Sequence, residues 1–142
     1  MESRDQALPS KAGSRSYKDL LVWQQAISLV KTIYQLTAAF PNSELYGLTA
    51  QMRRAAISIP SNIAEGQARQ SVREFAQFVS HAEGSAAELE TQLIISTNLD
   101  FAPATKARDA LEALAGIRKM LASLRRKLSE KSKGISYLET RN

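Results

Sequence analysis

No cysteine occurs anywhere in the 142 residues. Disulfides, thiolate metal ligands and thiol nucleophiles are therefore excluded. That composition suits a reducing cytoplasm, which is the expected location. Histidine is almost as scarce, with His81 standing alone. A di-iron carboxylate bundle uses two Glu-x-x-His motifs, and this chain has none. No metal and no cofactor is expected. Six glycines and four prolines are too few for an all-β chain built from many tight turns. No apolar run approaches the roughly 18 residues that a membrane span requires. The opening "MESRDQALPSKAGSR" carries both signs of charge and no apolar stretch, so it is not a secretory leader. There is no phosphate loop, dinucleotide fingerprint or nucleophile elbow. An enzyme is not expected.

What the chain does have is helical periodicity. Its length fits one domain with a real core. The first helical segment spans about 17–39, with Ser16 as a cap and Pro41 as a stop. It carries two heptad seams. One is Leu20, Trp23, Ile27, Val30 and Tyr34; the other is Val22, Ala26, Leu29, Ile33, Leu36 and Phe40. Together they cover about half the helix circumference, whereas a simple bundle helix needs an arc of only ~100° or somewhat more. The excess calls for a second packing partner. Trp23, Val22, Leu29, Ile33 and Leu36 are accordingly candidates for an oligomer interface.

The second segment spans about 46–65, with Leu48, Met52, Ala55, Ile59 and Ile63 on its inner face. "NSELYG" supplies a turn and a cap before it. Pro60 falls inside, where it removes one backbone hydrogen bond and crowds the preceding turn. A kink or restart is expected there, with Ser61 and Asn62 capping the groups left over. The third segment opens with Ser71 and Glu74 at capping-box spacing and runs to about 99. Phe75, Phe78, Ala82, Ser85 or Ala86, Leu89, Leu93 and Ser96 mark its inner face. Gly84 costs roughly 1 kcal/mol against alanine in a helix interior, which points to a close neighbour. The fourth segment spans about 104–131. Ala110, Leu114, Ile117, Leu121, Leu124 and Leu128 form its seam, and Gly134 reads as a C-cap.

The expected fold is all-α. It is an antiparallel up-down-up-down four-helix bundle over 16–133, with helix two kinked at its proline. A disordered arm at 1–15 and a tail at 134–142 flank it.

The net charge of +5 is unevenly placed, because residues 118–133 hold seven cations and one acid. Arg108, Lys119, Arg126 and Lys133 fall nearly in line on the far face of helix four, with Arg118, Arg125 and Lys127 close by. Such a surface can follow a phosphate backbone. A solvated helix end that complements the C-terminal dipole is the other reading. No groove-reading motif accompanies the cations, so binding would follow shape rather than sequence. Glu83, Glu88 and Glu90 cluster on the third segment and read as salt-bridge partners of Arg53, Arg54 or Arg73 rather than as acid–base catalysts.

Three stretches together resemble a known family: "YKDLLVWQQAISLV" (17–30), "PNSELYGLTAQMRRAAISIPSNIAEG" (41–66) and "EFAQFVSHAEGSAAELETQLIIS" (74–96). They are similar to the four-helix-bundle proteins encoded in bacterial 23S ribosomal RNA intervening sequences. The resemblance implies a cytoplasmic bundle, often a ring-shaped homopentamer, with no established activity. It also implies kinship with the accessory variability determinant of diversity-generating retroelements, a basic bundle associated with nucleic acid. Pro60, Asn62, Glu65, Gly66, Glu83, Gly84, Ser85 and Glu88 match the family pattern and read as structural. The expected partners are further copies of the chain and structured RNA. The alternative is a scaffold for an unknown protein partner, whose basic charge only keeps it soluble.

If Pro60 shapes helix two, Pro60→Ala should shift the melting temperature or the state of assembly, read by thermal circular dichroism and light scattering. A variant unchanged in both would remove that role.

Overall fold

A computed structural model describes residues 16–141. The expected arm at 1–15 lies outside the described residues. Four α-helices follow one another: α1 (Leu21–Thr37), α2 (Leu48–Gln67), α3 (Val72–Asn98) and α4 (Ala104–Arg141). Short 3-10 turns at Tyr17–Asp19 and Asn42–Glu44 precede α1 and α2. Among the described residues there is no strand. The helices pack in a ring of neighbours, α1 on α2, α2 on α3, α3 on α4 and α4 back on α1, which is the arrangement of a four-helix bundle.

Helix one starts later than its sequence pattern suggested. Ser16 caps the 3-10 turn, its Oγ accepting from the Lys18 amide at 3.1 Å. Leu20 is then extended, and α1 begins at Leu21. The second of its two seams is the one wholly buried, through Val22, Ala26, Leu29, Ile33, Leu36 and Phe40, while Leu20, Trp23 and Val30 of the first are half-buried against the core. Arg53 of α2 locks the far end of α1. Its Nε donates to Thr37 Oγ1 at 2.9 Å, its Nη2 donates to the Tyr34 carbonyl at 3.4 Å, and its guanidinium lies 4.4 Å over the Tyr34 ring. A cation at the last carbonyls of a helix also suits the dipole.

The cap expected from "NSELYG" comes from Glu44, whose Oε1 accepts from the Leu48 amide at 3.2 Å. Helix α2 then runs unbroken past Pro60, so the restart does not occur. Ser58 ties this region to α3 instead, with Asn62 bonded to it inside α2. Asn62 Nδ2 donates to the Ser58 carbonyl at 2.8 Å and to Ser58 Oγ at 2.9 Å, and that hydroxyl shares a 2.8 Å hydrogen bond with Ser85 Oγ. Ser58 meets Ser85 while Arg54 meets Glu88, so α2 and α3 run in opposite directions along this seam.

Ser71 caps α3 as its spacing predicted, accepting from the Glu74 amide at 3.0 Å. The buried line of α3 includes Val79, which the sequence pattern passed over, whereas Phe75 and Phe78 are only half-buried. The helix ends in a reversal at Asp100, whose φ is 61°. The Phe101 amide donates to the Ser96 carbonyl at 2.9 Å and the Asp100 amide to the Thr97 carbonyl at 3.0 Å, the two bonds of a Schellman cap. Helix α4 continues through Gly134 to Arg141, so the expected C-cap and the described part of the expected tail are helical.

The glycines reverse one expectation. A Cβ on Gly84 would meet nothing within 4 Å, and the residue is exposed. Gly66 is the tight one: a Cβ there would sit 2.6 Å from Phe78 Cβ and 3.0 Å from Phe75 Cδ1. Gly66→Ala should therefore destabilise the fold by about 1–3 kcal/mol, the usual cost of overpacking. Gly116→Ala, where a Cβ meets nothing within 4 Å, should instead stabilise by up to about 1 kcal/mol. Denaturant midpoints of the two variants should move in opposite directions.

Candidate nucleic-acid interface

Helix α4 presents its apolar seam to the core and its cations outward. Ala110, Leu114, Ile117 and Leu121 are buried, while Leu124 and Leu128 are half-buried. Arg108, Lys119, Arg126 and Lys133 lie on the opposite side and are exposed, as their spacing required. Lys127 and Lys131 are exposed beside them. Two acids, Glu112 and Glu130, stand on the same exposed face, each four residues beyond an arginine. At that spacing they dilute the positive field locally.

Arg118 and Arg125 are placed differently. Both turn toward α3, Arg118 pairing with Glu90 and Arg125 with Glu83, the latter at 2.6 Å. Their side chains are about two-fifths exposed, and their charge is matched within the chain. The group expected to act together thus divides in two. Arg108, Lys119, Arg126, Lys127 and Lys133 are free to meet an anion, and Arg118 and Arg125 bind helix to helix.

The three glutamates are salt-bridge partners, as expected. Their arginines are mostly other ones, because only Glu88 meets α2, through Arg54 at 3.3 Å. Glu83 and Glu90 find α4 instead. Sequence spacing shows that two residues share a helix face but not which neighbour faces them. Glu65 pairs with Arg69 one turn on, at 3.1 Å. His81 is exposed and makes an edge contact with Phe78 at a centroid distance of 5.6 Å. Among the described residues, no group of three or more His, Cys, Asp or Glu could hold a metal. None of the described helices is long and apolar enough to cross a membrane.

Four of the five interface candidates on α1 need correction. Val22, Leu29, Ile33 and Leu36 are consumed by the chain's own core, each at most 6% exposed. Trp23 alone stays half-exposed, edge-on to Tyr17 at 5.3 Å. The other seam is partly left outside, with Ile27 and Tyr34 exposed. Beside it, α1 and α2 form an open groove of about 650 Å³, lined by Tyr34, Leu45, Tyr46, Arg53, Arg54 and Ile57 among others. The sequence pattern assigned no role to Tyr46, which is 91% exposed. Its place in the groove depends on how the turn before α2 folds, and no periodicity signals it.

Comparison with known proteins bears on the family. The chain matches the model of the 23S rRNA-intervening sequence protein family over residues 18–123. No curated protein matches the chain. A crystal structure from Bacteroides thetaiotaomicron, of a protein with unknown function from the S23 ribosomal protein family, has the same fold. Its TM-score is 0.67 at 20% identity, covering 74% of this chain and 98% of that one.

The support that Asn62 gives Ser58 inside α2 is open to direct test. Asn62→Ala removes two hydrogen bonds to Ser58 and should cost about 1–2 kcal/mol in equilibrium unfolding, given about 1 kcal/mol for each such bond.

Proposed function

Since the chain belongs to the 23S rRNA-intervening sequence protein family, we propose that it is a non-enzymatic helical bundle that assembles with copies of itself and binds structured RNA through α4. One observation carries this reading. The exposed face of α4 holds Arg108, Lys119, Arg126, Lys127 and Lys133, none of them ion-paired to a described residue. Cations left solvated in this way can each displace a counterion from a phosphate backbone. Helix α4 is also the longest element, at 38 residues, or about 57 Å at 1.5 Å per residue. That length suits a duplex backbone better than a compact ligand. Self-assembly, with the pentamer as the proposed stoichiometry, repeats the basic face. Several modest phosphate contacts on one particle then act together through effective concentration.

A second reading is a protein scaffold without RNA. It draws on Glu112 and Glu130, which interrupt the basic face, and on the apolar groove between α1 and α2. A partner retained after nuclease treatment, with no RNA affinity at low salt, would favour it.

The two classes of arginine make the test specific. Lys119→Gln, Arg126→Gln, Lys127→Gln and Lys133→Gln combined should lower affinity for an RNA hairpin by about ten- to a hundredfold. The slope of log K against log salt should fall by about three. Fluorescence anisotropy over a salt series measures both. Arg118→Gln with Arg125→Gln should change RNA binding little and lower the melting temperature instead. A wild-type protein with no RNA affinity at low salt would end the proposal.

A further inference from the structure

Among the described residues, no other large hydrophobic side chain is as exposed as that of Tyr46, at 91%. It makes no hydrogen bond and no ring contact with any of them. Tyr46 lines the open α1–α2 groove together with Tyr34, Leu45 and Ile57, each of them exposed. The groove's volume of about 650 Å³ falls within the range of ligand sites.

Arg53 gives this groove its one unmatched charge. Arg54 is paired with Glu88 of the same chain, and no acid lines the groove. Glu44, just before it, turns into the start of α2, where its Oε1 accepts from the Leu48 amide. Arg53 has no carboxylate partner among the described residues. A guanidinium carries five N–H donors. Nε gives one to Thr37 Oγ1 and Nη2 gives one to the Tyr34 carbonyl, so three remain without a partner among the described residues. Those two bonds, with the Tyr34 ring 4.4 Å from the guanidinium carbon, hold the fork in place. A fork held in this way, with donors to spare, suits two-pronged binding of phosphate or carboxylate.

A ligand for the groove therefore needs one anionic group for Arg53 and an apolar face for the tyrosines, Leu45 and Ile57. It also needs a polar rim, because the groove is open and one side of its occupant stays in water. A nucleotide has all three: a phosphate, a flat base, and polar base edges with a sugar. An aliphatic acid would leave a flank of its tail wet. We propose that the α1–α2 groove holds an unpaired nucleotide of an RNA strand, the base against Tyr46 and the phosphate on Arg53. An open groove lets the strand enter and leave. Bases within a duplex already stack on each other, so the site selects loops, bulges and ends. Every base has an apolar face, so sequence matters little. The site lies on α1 and α2 and needs no cation of α4, so it goes beyond the α4 reading and stands without it.

The test uses a short labelled single-stranded oligoadenylate and a blunt RNA duplex, followed by fluorescence anisotropy. The background is the α4 variant with Lys119→Gln, Arg126→Gln, Lys127→Gln and Lys133→Gln, which should still bind the oligoadenylate. Adding Tyr46→Ala should lower that affinity by about five- to a hundredfold, the usual effect of losing one stacked base. Tyr46→Phe should keep it, and neither change should move duplex affinity or helical circular dichroism. Ile57→Glu is a second variant at an exposed position of the same groove. It adds a carboxylate to a lining that has none and should also weaken oligoadenylate binding. No oligoadenylate binding by the α4 variant overturns the proposal, as does an affinity that Tyr46→Ala and Ile57→Glu leave unchanged. AMP bound as tightly as the oligoadenylate assigns the groove to a free nucleotide and overturns the strand. A leucine- and glutamate-rich helical peptide that binds where oligoadenylate does not gives the groove to a protein partner and overturns it too. A Tyr46→Ala variant that changes sedimentation but not oligoadenylate affinity does the same in favour of a second copy. None of these outcomes touches the α4 reading, which rests on the hairpin affinity of the wild type.

Discussion

Gly66 lets the backbone of α2 come so near to α3 that a single methyl group would collide with Phe78 and Phe75. That approach sets the spacing of the α2–α3 pair, and the rest of the bundle is arranged on it. It brings Ser58 within hydrogen-bonding distance of Ser85 and Arg54 within reach of Glu88. Polar contacts at defined positions fix the register of two helices more sharply than interchangeable apolar side chains do. Buried Ile59 and Ile63 on α2, with Val79, Ala82 and Ala86 on α3, fill the space beneath. Alanines there match the close spacing, because larger residues would push the helices apart.

The remaining helices are held to this pair by different means. Arg53 grips the end of α1 through Thr37 and Tyr34, so α1 is referenced to α2. Arg118 and Arg125 link α4 to α3 through Glu90 and Glu83. Ion pairs this exposed are each worth only about 0–1 kcal/mol. Their main consequence is to divide the basic residues of α4. Those near α3 are neutralised, and those on the far side keep their charge. The same rotation of α4 that buries Leu114, Ile117 and Leu121 therefore decides which cations remain available to phosphate.

Three outer faces of the bundle now differ in chemistry. Helix α4 is basic and exposed, α3 is uncharged and small, and the α1–α2 groove is apolar with two arginines. Asn62, Gly66 and Ser85, which the sequence resemblance singled out, lie at or beside the α2–α3 seam and serve the shape of the bundle.

How much of this was legible beforehand follows from the reach of each signal. Heptad spacing is local and covalent, so it identified the four helices, the Ser71 cap, the inner seam of α4 and the exposed line through Arg108, Lys119, Arg126 and Lys133. Composition removed thiol chemistry without any structure. Other features depend on which helix lies beside which, and periodicity carries no such information. Helix α1 offered two equivalent seams, and only packing showed that Val22, Leu29, Ile33 and Leu36 face inward. Gly66 and Gly84 look alike in sequence, yet one touches α3 and the other touches nothing. The partners of Glu83 and Glu90 came from α4, more than 25 residues away. The sequence by itself determined what each helix is and which residues share a face. Only the tertiary structure decided which faces were buried, which charges were matched and which surfaces were left over, because those are properties of distances between helices.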